Sequence, residues 1–157
     1  MKNMSTTVRA IVYSLAIIIL GSLSSLSVEW VRGVSIGDIY ATFTLPPFSP
    51  PQWLFGPAWI FLYILLGIYC ANLNKATKYQ PQLYLVMYVQ LALNILWSIA
   101  FFTIGNFLLA SIMIVVMDIL VIWLLLADVR KIRYILIPYL LWLLFATYLS
   151  ISVTILN

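Results

Sequence analysis

Five successive apolar runs, each long enough to cross a lipid bilayer as a helix, leave this chain almost no other fold. They fall at about Ala10 to Val28, Pro57 to Leu73, Gln82 to Ile104, Phe107 to Ala127 and Tyr134 to Leu156. A helix rises about 1.5 Å per residue and needs about 20 residues to span a hydrocarbon core of about 30 Å. The composition agrees with lipid as the solvent. Of 157 residues, 65% are hydrophobic and 8% charged, against about half and about a quarter in a soluble domain, so there is too little polar surface to coat a water-soluble globule. The expected fold is an all-α membrane protein, a five-transmembrane-helix bundle forming one domain over residues 1–157 and lying multi-pass in the cell membrane.

The first run has Lys2 and Arg9 ahead of it and Ser25-Leu26-Ser27 near its end, features shared with a secretory signal. Its apolar stretch exceeds the roughly 7 to 15 residues of a signal core, and it is read as a retained helix. Between the first two helices, Glu29 to about Gly56 forms the only long connection, carrying Pro46-Pro47-Phe48-Ser49-Pro50-Pro51. Proline has no amide hydrogen and a fixed φ, so four within six residues stop a helix. A connection this long in so small a chain points to function. Gly105-Asn106 makes a tight link before the fourth helix, and Asp128, Arg130, Lys131 and Arg133 cluster before the fifth. Five crossings place Lys2, Arg9, Lys75, Lys78, Arg130, Lys131 and Arg133 on one side and only Arg32 on the other. Basic residues concentrate in cytoplasmic loops, so the N-terminus is expected in the cytoplasm and the Pro-rich loop on the outer side.

The sequence holds no His, and its one Cys is Cys70. Intrachain disulfides, Cys/His metal sites and His-dependent catalytic triads are thereby excluded, and no metal site or resident cofactor is expected. The net charge of +4 is not gathered on one exposed element as nucleic-acid binding requires.

Polar and aromatic residues within the helices are the candidates for a site. On the third helix Gln90, Asn94 and Trp97 share a face at offsets of 4 and 7. Amides are costly in lipid, so this face must look inward, as interhelical hydrogen bonding or as a ligand site. The second helix offers Trp59, Tyr63 and Gly67, with Trp53 ahead of it. The fifth offers Tyr139, Trp142 and Ala146, with Pro138 expected to loosen its backbone bonding. Trp53 and Trp59 also suit interfacial anchoring, whereas Trp97 and Trp142 lie deeper. Indole walls suit a flat, apolar, conjugated ligand, which gains dispersion and offset stacking against the rings. Asp118 is the one acidic residue inside a membrane segment, either a functional group or a protonated side chain bonded to a neighbouring helix. Gly21 and Ser25 form the one small-residue spacing suggestive of helix pairing.

The run from Leu45 to Trp59, LPPFSPPQWLFGPAW, with Leu62-Tyr63 and Gly67, resembles the loop and second helix of the TspO/MBR family, the tryptophan-rich sensory and translocator proteins. Gln90 to Asn94 with Trp97 and Phe101-Phe102 resembles its third helix, and Pro138-Tyr139, Trp142, Phe145-Ala146 and Asn157 its fifth. The resemblance implies a bacterial-type member with a ligand pocket beneath the first loop and a homodimeric state. It implies porphyrin ligands such as protoporphyrin IX, with Trp53, Trp59, Tyr63, Gln90, Asn94, Trp97, Tyr139, Trp142 and Ala146 as binding residues. Some family members degrade porphyrin in light with the help of two tryptophans, which match Trp59 and Trp142. The family's loop Lys is Leu45 here and its first loop Trp is Phe48, which weakens a charged clamp for porphyrin carboxylates and leaves Arg32 as the one substitute in the loop. Three functions follow: a receptor or carrier of tetrapyrroles, a light-dependent porphyrin-degrading enzyme, and a transporter of a small hydrophobic ligand. The last lacks the inverted repeats common among transporters.

Overall fold

The computed structural model describes residues 3–157, so Lys2 of the basic flank lies outside it, and the described residues contain no strand. Five long helices, α1 (Thr6–Arg32), α3 (Phe55–Asn72), α4 (Gln80–Ser98), α5 (Phe107–Ala127) and α6 (Ile137–Leu156), alternate in direction. A short helix, α2 (Ile36–Ala41), lies in the first connection. With their flanking turns, all five long helices are long and apolar enough to cross a membrane.

Local hydrogen bonding, rather than hydropathy, sets where these helices end. α1 extends past the expected Ala10 to Val28 on both sides. Ser5 Oγ accepts the Val8 amide at 3.3 Å, and Gly33, at φ 71°, closes the other end by donating to Glu29 O at 2.8 Å. The first connection is more ordered than the open loop expected. Ser35 Oγ accepts the Asp38 amide at 3.1 Å and starts α2. A 3₁₀ turn at Gln52–Leu54 then leads into α3 two residues ahead of Pro57.

α4 begins at Gln80, after Tyr79 at φ 56°, with Pro81 in its first turn. The third span was expected as ordinary helix to Ile104, but Ile99–Thr103 widen into a π turn, a feature common at functional sites. α5 has the expected limits. The fifth span was expected to be helical from Tyr134, yet Lys131–Leu136 form a 3₁₀ turn and α6 starts at Ile137. Pro138 therefore sits in a first helical turn, where its missing amide has no helical partner to lose, and it does not loosen the helix interior.

Glycine brings α1 and α3 together. A Cβ on Gly67 would stand 2.5 Å from the Ser14 backbone nitrogen, and one on Gly21 would stand 2.5 Å from the Tyr63 ring. Gly21 is thus used for packing within the chain rather than for pairing with another. Ser14 Oγ donates to Ile64 O at 3.2 Å across the same seam. Leu66, Leu83, Met87, Met117, Val121, Leu124 and Leu143 fill the core, while Ile11, Leu15, Ile19, Ile112, Ile119 and Leu141 face outward, as a lipid solvent permits.

One end of the bundle gathers Arg9, Lys75, Lys78, Arg130, Lys131 and Arg133. There Asp128, 1% exposed, ties three elements together. Its carboxylate accepts from Tyr69 Oη at 2.9 Å, from Arg130 Nη2 at 2.6 Å and Nε at 2.9 Å, and from the Arg130 amide at 3.0 Å. Arg130 Nη1 also donates to Asn72 O, and Arg133 Nη1 to Asp128 O at 3.0 Å. Burial pushes the Asp128 pKa up, but the bonds from Arg130 and Tyr69 outweigh it and hold the pKa below its ordinary value. A depressed carboxylate contributes its stability above the unfolded pKa of about 4 and loses it as pH falls through the folded value. Circular-dichroism melting in detergent should therefore show a midpoint that drops below about pH 4. Asp128→Asn should remove that part of the acid loss and cost about 3 kcal/mol at neutral pH; a variant melting like the wild type would show that the cluster does not brace the bundle.

Candidate functional site

At the opposite end of the bundle, α1, α3, α4 and α6 diverge around a cavity of about 540 Å³, within the roughly 300–1,000 Å³ of small-molecule sites. Residues of α2 and Gln52 close over it. Six of the residues singled out in the sequence line it: Trp59, Tyr63, Asn94, Trp97, Trp142 and Ala146. The other three do not. Trp53 lies in the 3₁₀ turn ahead of α3 and is 69% exposed, while Gln90 and Tyr139 are fully buried behind the wall.

Behind that wall the polar side chains form one directed chain. Tyr63 Oη donates to Asn94 Oδ1 at 3.0 Å, Asn94 Nδ2 to Tyr139 Oη at 2.9 Å, and Tyr139 Oη to Gln90 Oε1 at 2.6 Å. The chain spans α3, α4 and α6, fixing the orientation of Asn94 and leaving Tyr63 without a free donor toward the cavity. Gln90 Nε2 finds only the Met87 sulfur, at 3.6 Å, a weak acceptor.

Two of the aromatic tips are likewise committed to the protein. Trp97 Nε1 donates to Ala110 O and Tyr40 Oη to Pro50 O, both at 3.0 Å. Burial, partly offset by a bond with Ser49, raises the Tyr40 pKa, so the phenol keeps the proton it donates. What these residues present to the cavity is ring surface. Trp59 lies edge-on to Trp142 at 6.2 Å between centroids and tilted against Tyr63 at 5.5 Å. Trp97 stacks on Phe101 at 4.8 Å, a pairing formed where α4 passes into the π turn. Trp142 Nε1 is buried without a partner.

The Pro-rich segment is anchored to α6 and to Asn157 at its end. Asn157 grips the Thr44 backbone in both directions, Oδ1 accepting its amide at 3.0 Å and Nδ2 donating to its carbonyl at 3.1 Å. Tyr148 Oη donates to Pro47 O at 2.9 Å, and Phe43 packs edge-on to Phe101 and Phe107. Phe48 is held at φ 63° and turned outward.

Sequence reasoning missed part of the lining. Ser22, Ser25 and Glu29 of α1 reach the cavity, and their spacing of three and four residues marks one helical face. That stripe is readable in the sequence, where Ser25 suggests only a signal-like site or a helix-pairing contact. Tyr40, Phe55 and Phe102 also line the site. Asp118 lies away from the cavity on the α5–α6 seam, where Thr147 Oγ1 is 2.6 Å from its Oδ2, so of its two readings the geometry supports the interhelical bond.

A model of the TspO/MBR family matches residues 10–156. The chain is 40% identical to the tryptophan-rich protein TspO of Archaeoglobus fulgidus over 127 residues, 78% of this chain and 82% of that one. It is 34% identical to the tryptophan-rich protein TspO of Chlorobaculum tepidum over 124 residues, 75% and 78% of the two chains. It is also 37% identical to the CrtK protein of Rhodobacter capsulatus over 71 residues, 43% and 44% of the two.

Tyr139→Phe keeps the ring but deletes the hydroxyl that joins Asn94 to Gln90, leaving both buried amides without that partner. Thermal unfolding in detergent should register a loss of about 2 kcal/mol. A loss under about 0.5 kcal/mol would show that the chain of hydrogen bonds does not hold the three helices in place.

Proposed function

This chain belongs to the TspO/MBR family of membrane proteins, and on that footing we propose that its cavity binds tetrapyrroles such as protoporphyrin IX and similar flat, conjugated, apolar ligands. The observation that carries the reading is the wall of ring faces at Trp59, Trp97 and Trp142 around a largely apolar cavity with few free donors. A macrocycle placed there would lie against ring surface, where offset and edge contacts each contribute about 1 kcal/mol beyond area burial. The binding residues in this proposal are Trp59, Tyr63, Asn94, Trp97, Trp142 and Ala146, with Gln90 and Tyr139 holding Asn94 and Tyr63 in place from behind.

The protein acts as a receptor or carrier in this reading, with the basic end of the bundle in the cytoplasm and the anchored loop outside, an orientation the charge asymmetry supports. Homodimerisation enters the proposal from the family alone, because Gly21 packs against Tyr63 and Ser25 faces the cavity. A second reading, light-dependent breakdown of the bound porphyrin, is favoured by one observation. Trp59 and Trp142 meet edge to face on the cavity wall, so a stacked macrocycle excited by light could touch two oxidisable indoles at once.

Titrating the detergent-solubilised protein with protoporphyrin IX in the dark should quench tryptophan fluorescence saturably, with Trp59→Phe and Trp142→Phe each weakening binding by about fivefold. Illumination then separates the two readings. A stable porphyrin spectrum supports the receptor, and bleaching that fails in either variant supports the enzyme. The absence of saturable quenching would overturn both.

A further inference from the structure

The cavity that binds the proposed ligand carries one charged group, and it is acidic. Glu29 lines it from the last turn of α1, exposed at the rim beneath α2. No Lys or Arg lines it. Arg32, the single basic residue at this end, turns Nη1 toward Thr103 O at 3.4 Å and lies outside the lining. Among the described residues the one ion pair is Arg130–Asp128, at the far end of the bundle, so Glu29 makes no direct ion pair with Arg32, its neighbour in the last turn of α1. The other acid near the rim, Asp38 on α2, bonds to Ser35 and adds charge of the same sign. The amides of Leu54 and Phe55, where α3 begins beside the rim, already donate to Pro51 O and Gln52 O.

We propose that Glu29 makes this site select planar ligands by the charge of their rim, favouring neutral or cationic ones, such as an esterified macrocycle or an aromatic amine, over dicarboxylates. The inference rests on the binding reading above and deepens it. A flat ligand filling the aromatic volume places its edge substituents at the loop end, because the other end is closed by the Asn94–Tyr139–Gln90 chain and the core behind it. A ligand carboxylate there meets Glu29 at close range beside apolar walls, where like charges repel more strongly than in bulk water. An ammonium or N–H donor at the same place gains a charge-assisted hydrogen bond. Ser22 and Ser25, on the same face of α1, add hydroxyl oxygens suited to a neutral polar rim.

The test titrates the full-length wild type, Glu29→Gln and Glu29→Lys with two probes, protoporphyrin IX and its dimethyl ester, in the dark by tryptophan quenching. Esterification also makes the probe more apolar, so the informative quantity is the change in the ester-to-diacid affinity ratio between proteins. That ratio should fall about tenfold from wild type to Glu29→Gln, fall further in Glu29→Lys, and shrink in the wild type as salt is raised. A melting midpoint equal to that of the wild type confirms that the variants are folded, as expected for a rim side chain. A ratio constant within about twofold across the three proteins would overturn this inference while leaving the binding reading intact. Failure of both probes to quench saturably in every protein would overturn the binding reading and this inference with it.

Discussion

Inside a bilayer no water is at hand to satisfy a stray amide or hydroxyl, and that constraint accounts for most of what this molecule does with its polar residues. Backbone irregularity is confined to helix ends and to one π turn, where Ile104 N–H reaches back to Ile99 O at 2.9 Å and keeps the ladder closed. The buried side-chain amides are handled in the same way, by the Tyr63–Asn94–Tyr139–Gln90 chain that crosses three helices. Satisfying these groups from behind leaves the front of the wall to aromatic faces. The deep wall of the cavity is therefore apolar because Tyr63 and Asn94 already have partners.

Two fastenings at opposite ends hold that cavity open. At the basic end Asp128, Tyr69, Arg130 and the carbonyl of Asn72 bind α3 to the turn before α6. At the other end Tyr148 of α6 and Asn157 just after it hold the Pro-rich segment by its backbone, so that segment is tied to the same helix that supplies Trp142 and Ala146. Between them the close approach of α1 to α3 at Gly67 and Gly21 sets how near the α1 stripe comes to Tyr63. Replacing either small residue by a larger one would widen the seam and move Glu29 relative to the aromatic wall.

Hydropathy made the five spans legible in the sequence because lipid solvation acts on the average over some twenty residues. It could not locate their ends, since Ser5, Gly33 and the turn at Lys131–Leu136 stop helices by hydrogen bonding rather than by polarity. α2 escaped notice because six residues carry too little periodicity, although Ser35 with Asp38 three residues on is a capping signal. Helical spacing correctly grouped Asn94 with Trp97 and Trp142 with Ala146, as both pairs line the cavity. It could not tell the front of a wall from its back, and so it treated Gln90 and Tyr139 like the residues they support. Trp53 shows the limit of linear proximity. It stands six residues before Trp59, yet a 3₁₀ turn directs it outward.

The central claim is that a flat conjugated ligand lies inside this bundle, against Trp59, Trp97 and Trp142 and under α2. A structure determined with protoporphyrin IX bound tests it most directly. The account predicts density for the macrocycle within the cavity, its ring against the indoles and its substituted edge at the rim near Glu29. Density confined to the lipid-facing surface, with the cavity empty and the Trp59–Trp142 geometry unchanged, would contradict it.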